Sequence, residues 1–410
     1  MKSAKNWGRL GMKFDVVQLE STGIDVIDGD RGKNYPHQNE LLSTGFCLFL
    51  SAKNVTKSGF SFSETQFISQ RKDALLNNGR LCRGDIVITT RGTVGNVVLY
   101  SPQVPYENIR INSGMLIIRC ANNISNQYLY QVLRSEWFQK QIMAVQSGSA
   151  QPQLPKSHFL KMNIPLPPLP IQEKIASILQ LIDDKITTNN SINDNLYEMV
   201  NAYYTSLFKD VECEMTTIGN YAERIYSGGT PTTSNAAYWG GTFGWFSSGE
   251  TRNRFVISTE KSITQTGIDN SSTKLASKHD IVMASAGQGF TRGQTSMLLI
   301  DTYVNQSVIV IHADRNILPY LFWNLANRYE ELRAISDSSS IRGSLTTKMI
   351  AAFEIPLANN DVIQTFSDFA WAVIPQIENN LLENERLAAL RDSLLPKLMS
   401  GELDVSDIEI

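Results

Sequence analysis

The 410-residue sequence contains few cysteines and histidines, four of each, and they are dispersed along the chain. Cys47, Cys82, Cys120 and Cys213 form no Cys-x-x-Cys pair and no cluster with histidine, which argues against a disulfide framework, a zinc site and a histidine-centred catalytic site. Apolar runs of the roughly 18 residues that span a membrane are missing, and the first residues lack the apolar core of a signal peptide. These absences predict a cytoplasmic protein that does not enter a membrane.

Motifs of nucleotide hydrolysis and of methyl transfer are also missing. There is no GxxxxGK[ST] loop, and the nearest glycine string, Gly29 to Asn34, has the wrong spacing. There is no Asn/Asp-Pro-Pro-aromatic string of the kind that amino-methyltransferases use. The string DDK at 183–185 has the acidic character of a metal-nuclease motif, but it lies in a helical pattern, where acidic residues usually form a solvated face. We therefore predict a non-catalytic chain that holds no metal and no cofactor of its own.

The net charge of −3 conceals an uneven distribution along the chain. Residues 1–163 carry 19 basic and 11 acidic side chains, whereas residues 214–354 carry 12 of each. Residues 164–213 carry 3 basic and 7 acidic side chains, and residues 355–410 carry 3 and 10. Because DNA binding depends on basic groups that neutralise phosphates, the globular segments, and not the acidic helical segments, are predicted to contact DNA.

A long helical pattern occurs twice, 191 residues apart. Eleven residues at steps of three or four run from Ile171 to Leu207, and the eleven residues at the same steps run from Val362 to Leu398. The apolar positions correspond throughout, and so do two interruptions by asparagine, which indicates a duplicated architecture. Pro375 lies inside the second pattern and Pro396 near its end; we interpret Pro375 as a kink in a packed helix, with a break into two helices as the alternative.

The interrupting asparagines are candidates for fixing how the two helices pair. In an antiparallel pair related by a pseudo-twofold axis the helix midpoints meet, so Asn189, Asn193, Asn380 and Asn384 are predicted to lie together. A buried asparagine lowers stability but sets the register, because mispairing leaves its amide without partners. The alternative is that these are solvated positions on frayed helices.

Two globular segments precede the two helical patterns. In the first, strands are predicted at residues 46–50, 85–90, 97–100 and 115–118, and one helix near 126–145. The second segment repeats the first in weaker form, with drifting loop lengths. We predict a first module at 1–163, a proline-rich joint and central helix at 164–213, a second module at 214–354, and a C-terminal helix and tail at 355–410.

Polar loops of both modules carry the residue types that read DNA bases. Guanidinium, amide and aromatic groups suit base edges, and glycine turns let the backbone approach phosphate, although such turns more often make hairpins and such loops are often merely solvated. The candidates are Arg31, Lys33, Asn34, Tyr35, Thr90 and Arg91 in the first module and Tyr238, Trp245, Arg252, Asn253, Arg254, Gln288 and Arg292 in the second.

The order of these motifs resembles that of specificity subunits of type I restriction-modification enzymes. The residues that carry the resemblance are RGDIVITTRGTVG at 83–95, SGSAQPQL at 147–154, IPLPPLPIQEKIASILQLIDDKI at 164–186, SGGTP at 227–231 and LLPKLMSGELDV at 394–405. It covers nearly the whole chain. The second joint, PLANNDVIQTF at 356–366, departs from the proline-rich string of the first.

The resemblance implies an α/β (α+β) fold with two tandem target recognition domains. Each domain has a curved mixed β-sheet and reads one half of an interrupted DNA sequence, and two long antiparallel helices form a coiled-coil spacer between them with pseudo-twofold symmetry. It also implies partners: two modification subunits that use S-adenosylmethionine to methylate adenine, and restriction subunits that use ATP and Mg to translocate and cleave DNA.

The predicted function is sequence-specific recognition of double-stranded DNA on behalf of those partner subunits. Two alternatives remain open at this point. One is a protein-interaction scaffold that never contacts DNA, and the other is the recognition module of another methyltransferase system, without catalysis of its own. The missing methyltransferase motifs argue against a fused enzyme.

Overall fold

The computed structural model describes residues 13–146, 153–287, 291–338 and 343–408. They form two compact units. The first unit comprises the described residues up to Ile186 together with those from Arg386, and the second unit is Thr187–Glu385. Within the part of the chain that is described, no helix is both long and apolar enough to cross a membrane.

The first half of the chain supplies eleven strands and five α-helices to the described structure. The strands are β1 Val16–Gln18, β2 Asp25–Asp28, β3 Cys47–Leu50, β4 Val55–Thr56, β5 Gly59–Phe60, β6 Phe67–Ile68, β7 Ile86–Thr89, β8 Val97–Leu99, β9 Ile109–Ile111, β10 Met115–Arg119 and β11 Asn163–Pro165. The helices are α1 Gln70–Leu75, α2 Asn126–Arg134, α3 Glu136–Gln146, α4 Lys156–Leu160 and α5 Leu169–Phe208.

The second half of the chain follows nearly the same order of elements, except that five strands instead of six precede its first helix. The strands are β12 Glu214–Thr217, β13 Ala222–Ser227, β14 Trp239–Phe246, β15 Phe255–Val256, β16 Lys261–Ile263, β17 Lys274–Ala276, β18 Ile281–Ala284, β19 Thr295–Leu298, β20 Thr302–Val304, β21 Val308–Ala313 and β22 Glu354–Leu357. The helices are α6 Gln265–Asp269, α7 Leu318–Asn327, α8 Tyr329–Ser338, α9 Thr347–Ala351 and α10 Asn360–Ser400.

Each unit contains a central sheet between a layer of helices and a second sheet. The sheets of the first unit have strand orders β2-β10-β7-β8 and β6-β3-β9, and those of the second have β13-β21-β18-β19-β15 and β16-β14-β20-β17. Parallel pairs, such as β3 with β9 and β14 with β20, occur beside antiparallel ones, so the predicted mixed sheets are confirmed. The strands predicted at 46–50, 85–90, 97–100 and 115–118 are present as β3, β7, β8 and β10.

The alternation of side chains along the central strands explains why each central sheet packs against helices on one face and against a second sheet on the other. Successive side chains of a strand point to opposite faces of the sheet. In β7, Ile86 and Ile88 pack into the core shared with the helices, and Val87 packs into the core shared with the second sheet. In β18, Ile281 and Val282 divide between two cores in the same way. These strands are therefore continuous aliphatic runs that are buried on both faces.

A buried aspartate closes the turn that precedes the central strand in both units. Asp85 accepts a hydrogen bond from the Cys82 backbone at 2.7 Å and bidentate hydrogen bonds from the Arg119 guanidinium at 2.8 and 2.9 Å. Asp280 accepts one from the Ser277 backbone at 2.9 Å and lies 2.5 Å from Nδ1 of His312. The duplicated turn is therefore kept, whereas the side chain that contacts the aspartate has changed from arginine to histidine.

The predicted single helix at 126–145 is wrong, because it is two helices that meet at Ser135. Ser135 has an extended backbone (ψ 146°), and its hydroxyl donates to the carbonyl of Val132 at 2.6 Å and accepts from the backbone of Phe138 at 3.2 Å. Serine side chains compete in this way with helical hydrogen bonds, so they end one helix and cap the next.

The second long helix continues through both prolines. α10 is one helix from Asn360 to Ser400, so the alternative of a break at Pro375 is excluded. A proline inside a helix costs about 3 kcal/mol. Ile374 and Ile377 on either side are each 1% exposed, and burying two such side chains is worth about 3–6 kcal/mol, which offsets that cost.

The long helices pack antiparallel to each other within each unit. In the first unit, Ile175 and Leu179 of α5 share a core with Leu395 and Leu398 near the end of α10. In the second unit, the Tyr203 ring of α5 lies 4.6 Å from the ring of Phe369, near the start of α10. The seam prediction fails at two corresponding positions, where Met199 and Leu390 are 45% and 47% exposed. Beside Met199, the adjoining residue Val200 is buried in the core instead.

The acidic string DDK is not a solvated face at its first residue. Asp183 accepts hydrogen bonds from Gln131 at 2.8 Å, Arg134 at 3.0 Å and Arg391 at 2.8 Å. Burial alone would raise the pKa of this carboxyl, but the two guanidinium groups and the hydrogen bonds hold its pKa below the ordinary value. Asp183 therefore ties α2 and α10 to α5 within the first unit.

A buried ion pair between β9 and α1 gives a test of how the first unit is packed. Arg110 lies 2.5 Å from Asp73, and both side chains are less than a tenth exposed; Arg80 contacts the same carboxylate at 3.1 Å but is half exposed. We expect Arg110→Met to lower the free energy of unfolding of this unit by about 3–5 kcal/mol, because the buried carboxylate of Asp73 loses its buried partner and keeps only the half-exposed Arg80. Arg80→Met, the matched control, should cost less than about 1 kcal/mol. Urea unfolding followed by hydrogen exchange, which resolves the two units, measures both, and equal losses would contradict the assignment.

Candidate nucleic-acid interface

In the first unit, the turn at residues 112–114 brings two predicted DNA-contacting arginines together. Asn112 Oδ1 accepts a hydrogen bond from the Gly114 backbone at 2.8 Å, which closes the turn. On one side Arg31 donates to the carbonyl of Ser113 at 3.4 Å, and on the other the backbone of Arg91 donates to the carbonyl of Gly114 at 3.2 Å. Residues 60 positions apart in the sequence thus flank one turn.

The β4–β5 hairpin lies beside the loop that follows Arg91 and adds basic groups that the sequence analysis missed. Asn96 Nδ2 donates to the carbonyl of Val55 at 2.9 Å, which ties the hairpin to the loop that follows Arg91. Lys57 is exposed at the hairpin tip, and Lys53 is exposed and paired with Glu64 at 2.7 Å. The signal that was available is the string KNVTKSG, with two lysines around a Ser-Gly turn.

Five exposed cationic side chains therefore occupy three neighbouring loops of the first unit. We call this set the basic rim. Arg31 is held 3.1 Å from Asp28, while the guanidinium of Arg91 stands in an exposed glycine turn. The members of the basic rim are Arg31, Lys33, Lys53, Lys57 and Arg91.

The other candidates of the first unit support these loops. Asn34 Nδ2 donates to the carbonyl of Leu75 at 3.0 Å. The Tyr35 ring packs edge-on against Phe49, with the ring centres 5.7 Å apart. Thr90 is buried, and its backbone donates to the carbonyl of Gly114 at 2.7 Å. These contacts hold the loops that carry the basic rim.

In the second unit, the predicted aromatic candidates belong largely to the interior. Trp245 is 4% exposed, and its indole Nε1 donates to the carbonyl of Gly229 at 3.3 Å. Its ring meets that of Trp239 edge-on at 4.9 Å. Tyr238 is half-buried, and its carbonyl accepts from the backbone of Thr264 at 3.0 Å.

The arginines of the second unit have partners within the chain. Arg252 donates to the carbonyl of Gly249 at 2.7 Å and pairs with Glu260, and the neighbouring Asn253 is exposed. Arg292 is 9% exposed and is held by Asp337 and the carbonyl of Gly343. Arg254 lies over the ring of Tyr197. Gln288 lies outside the described residues.

Matching hydrogen bonds locate the counterpart of Arg91 in the second unit. The backbone of Ser285 donates to the carbonyl of Ser307 and its carbonyl accepts from Leu345, each at 2.8 Å, as Thr90 does with Gly114 and Leu154. The residue that follows is Ala286, where the first unit has Arg91. The two units therefore present different chemistry at the same turn.

The described residues offer little for nucleophilic or metal chemistry. Burial raises the pKa of the thiols of Cys47 and Cys120 to about 12, so both are protonated at neutral pH, and the thiolate is the reactive form. Among the described residues, no three His, Cys, Asp or Glu side chains are grouped so that they could hold a metal ion.

Comparison with known proteins gives consistent matches. A family model for the "Type I restriction modification DNA specificity domain" matches residues 22–198 and again residues 211–383. The HindI type I restriction enzyme specificity subunit of Haemophilus influenzae is 20% identical, over 92% of this chain and 98% of that protein. The MjaIX specificity subunit of Methanocaldococcus jannaschii is 20% identical, over 80% of this chain and 79% of its own.

The fold matches as well. A crystal structure of the type I restriction-modification S subunit from M. genitalium aligns with a TM-score of 0.54 at 14% identity, over 95% of this chain and 96% of that one. Each of the two family-model matches contains one globular segment and part of the long helix that follows it. The chain therefore belongs to the type I restriction-modification DNA specificity domain family, as a non-catalytic specificity subunit with two tandem domains for DNA recognition.

Proposed function

We propose that each unit reads one half of a bipartite DNA target and that the long helices set the unspecified gap between the halves. The observation that carries this proposal is the basic rim, five exposed cations on three adjoining loops of a segment that has eight more basic than acidic side chains. Phosphate contacts position a protein on DNA, and base contacts from arginine, lysine, asparagine and glutamine provide specificity.

The two units would contribute unequally to affinity. Residues 214–354 have no net charge, and Ala286 stands where the first unit has Arg91. We propose that partner subunits supply the missing phosphate attraction beside the second unit. Two modification subunits, which would bring S-adenosylmethionine for adenine methylation, fit this role, and restriction subunits with ATP and Mg would join them. The isolated chain should then bind DNA weakly, and the assembled complex tightly.

Removing charge from the basic rim tests the interface. We expect Arg31→Gln, Lys57→Gln and Arg91→Gln in combination to reduce the slope of log affinity against log salt by about 2–3, because each phosphate contact contributes about 0.9. The measurement is fluorescence anisotropy of a duplex selected from a random-sequence pool, between about 50 and 200 mM salt.

A matched control separates these contacts from general charge. Lys161→Gln removes an exposed positive charge after α4, outside the rim loops, and should leave the slope nearly unchanged. If the rim variant kept the wild-type slope, or if the control lost as much for each charge removed, the rim would not be the DNA-contacting surface.

Lengthening the helices tests their role as a spacer. Four residues inserted between Ile186 and Thr187, and four between Glu385 and Arg386, add about 6 Å of helix, close to two base pairs of rise. We expect the gap in the methylated target to lengthen by about two base pairs in methylome sequencing of a host that carries the complete system. The same insertion in the loop at 209–213, after α5, should leave the gap unchanged. An unaltered gap in an active helix variant would reject the spacer role.

A further inference from the structure

In the second unit, one candidate DNA-contacting arginine rests on the acidic long helix. Arg254 directly precedes β15, in the loop that follows β14. Its guanidinium carbon lies 4.1 Å from the centre of the Tyr197 ring, which is only 8% exposed. The ring is fixed from behind, because it stacks on Trp323 with ring centres 5.8 Å apart. The Tyr197 ring is therefore a fixed flat surface, and the Arg254 side chain that lies on it has many rotamers.

Two carboxylates of α5 flank this platform. Asp194 Oδ1 lies 3.6 Å from Arg254 Nη1, and Glu198 Oε1 lies 3.9 Å from Nη2. Residues four apart occupy the same face of a helix, one turn from each other. Arg254 therefore lies close to two negative charges and to a flat ring. The phosphates and a base of DNA would present the same two kinds of group.

The contact is built to be reversible. Both charge separations exceed hydrogen-bond distance, and all three charged side chains are more than half exposed. An exposed ion pair of this kind is worth at most about 1 kcal/mol. Arg292 provides the contrast in the same unit, because its side chain is 11% exposed and its guanidinium is hydrogen-bonded to Asp337 and the carbonyl of Gly343.

Space beside the contact allows the arginine to move. A groove of about 970 Å³ opens between α5 and the loop at 251–258. Polar side chains, among them Asn193, Asn201 and Asn327, line it together with Arg254. A change of rotamer at Arg254 therefore displaces no core residue.

We propose that Asp194 and Glu198 hold Arg254 against Tyr197 in the DNA-free chain, and that a DNA phosphate displaces these carboxylates when the second unit binds. The inference rests on the proposed function, since it requires this unit to contact DNA. The long helix then has a second role, as an internal competitor that weakens binding to phosphate unless the arginine gains a better partner. A competitor worth about 1 kcal/mol leaves roughly one chain in six with the arginine free, so it reduces apparent affinity at most about sixfold.

The test is a double-mutant cycle on DNA binding by the full chain. We expect Asp194→Asn with Glu198→Gln to tighten binding to the selected duplex about threefold to fivefold when Arg254 is present. In the Arg254→Gln background the same pair should change affinity by less than about 1.5-fold, because the competition no longer exists. Arg254→Gln alone should lower the salt slope by about 0.9.

A charge-matched control excludes a general electrostatic effect. Asp210→Asn with Asp368→Asn removes two exposed carboxylates of the same unit that do not contact Arg254, and it should give much less than threefold tightening in either background. Equal tightening by both pairs, or tightening that persists without Arg254, would overturn the proposal. If wild type, tested alone and with modification subunits, prefers no duplex over a scrambled one, the proposed function itself fails, which is a distinct result.

Discussion

The structure depends on burial of the long helices within the cores of the recognition units. Ile175, Ala176 and Leu179 of α5 belong to the same cluster as the α2 residues that cover the central sheet of the first unit. In the second unit, Val200 and Phe366 lie in the cluster that contains α7. Neither helix is independent of the globular segments, because each unit would expose a large apolar surface without its helical segments. The same residues that would measure distance on DNA therefore also complete the folded domains.

Because the cores of the units hold the two helices, the pairing of the helices tolerates buried asparagine. Asn189 Nδ2 donates to Asn384 at 2.9 Å, and Asn380 Nδ2 donates to Asn193 at 2.8 Å, with Asn189 fully buried. The Oδ1 atom of Asn189 has no protein partner among the described residues, which costs stability. Apolar positions slide past one another with little penalty, whereas a shifted amide pair loses all its hydrogen bonds. The contact is present as predicted, and its role in register stays a prediction.

The sequence was sufficient where a regular period or a strand pattern decided the structure. The pattern from Ile171 to Leu207 predicts α5 to within two residues at its start and one at its end, because burial on one helix face imposes that period. It misplaced Met199, since a long helix drifts and Val200 takes the buried position. It also missed the break at Ser135, where one hydroxyl redirects the backbone.

The functional loops were harder to predict for a different physical reason. Residue type alone cannot distinguish an arginine that faces solvent from one that is paired across the chain. Arg292 pairs with Asp337 and Arg254 with Asp194, partners that are 45 and 60 positions away in the sequence. Only the folded backbone brings such partners together. Arg31 and Arg91 are exposed, and their role as DNA contacts stays a prediction; their proximity depends on the turn at 112–114, which no local pattern predicts.

Duplication followed by divergence accounts for the differences between the units. The backbone hydrogen bonds around Thr90 and Ser285 are conserved, because a turn that fails to close would unfold the sheet edge. Exposed side chains on the same turns are under no such requirement, so Arg91 and Ala286 differ freely. Arg119 and His312 differ too, although each contacts a buried aspartate, because either side chain can supply a hydrogen bond there. A duplicated domain can thus carry two unlike surfaces, which is what the proposed recognition of two different half-sites requires.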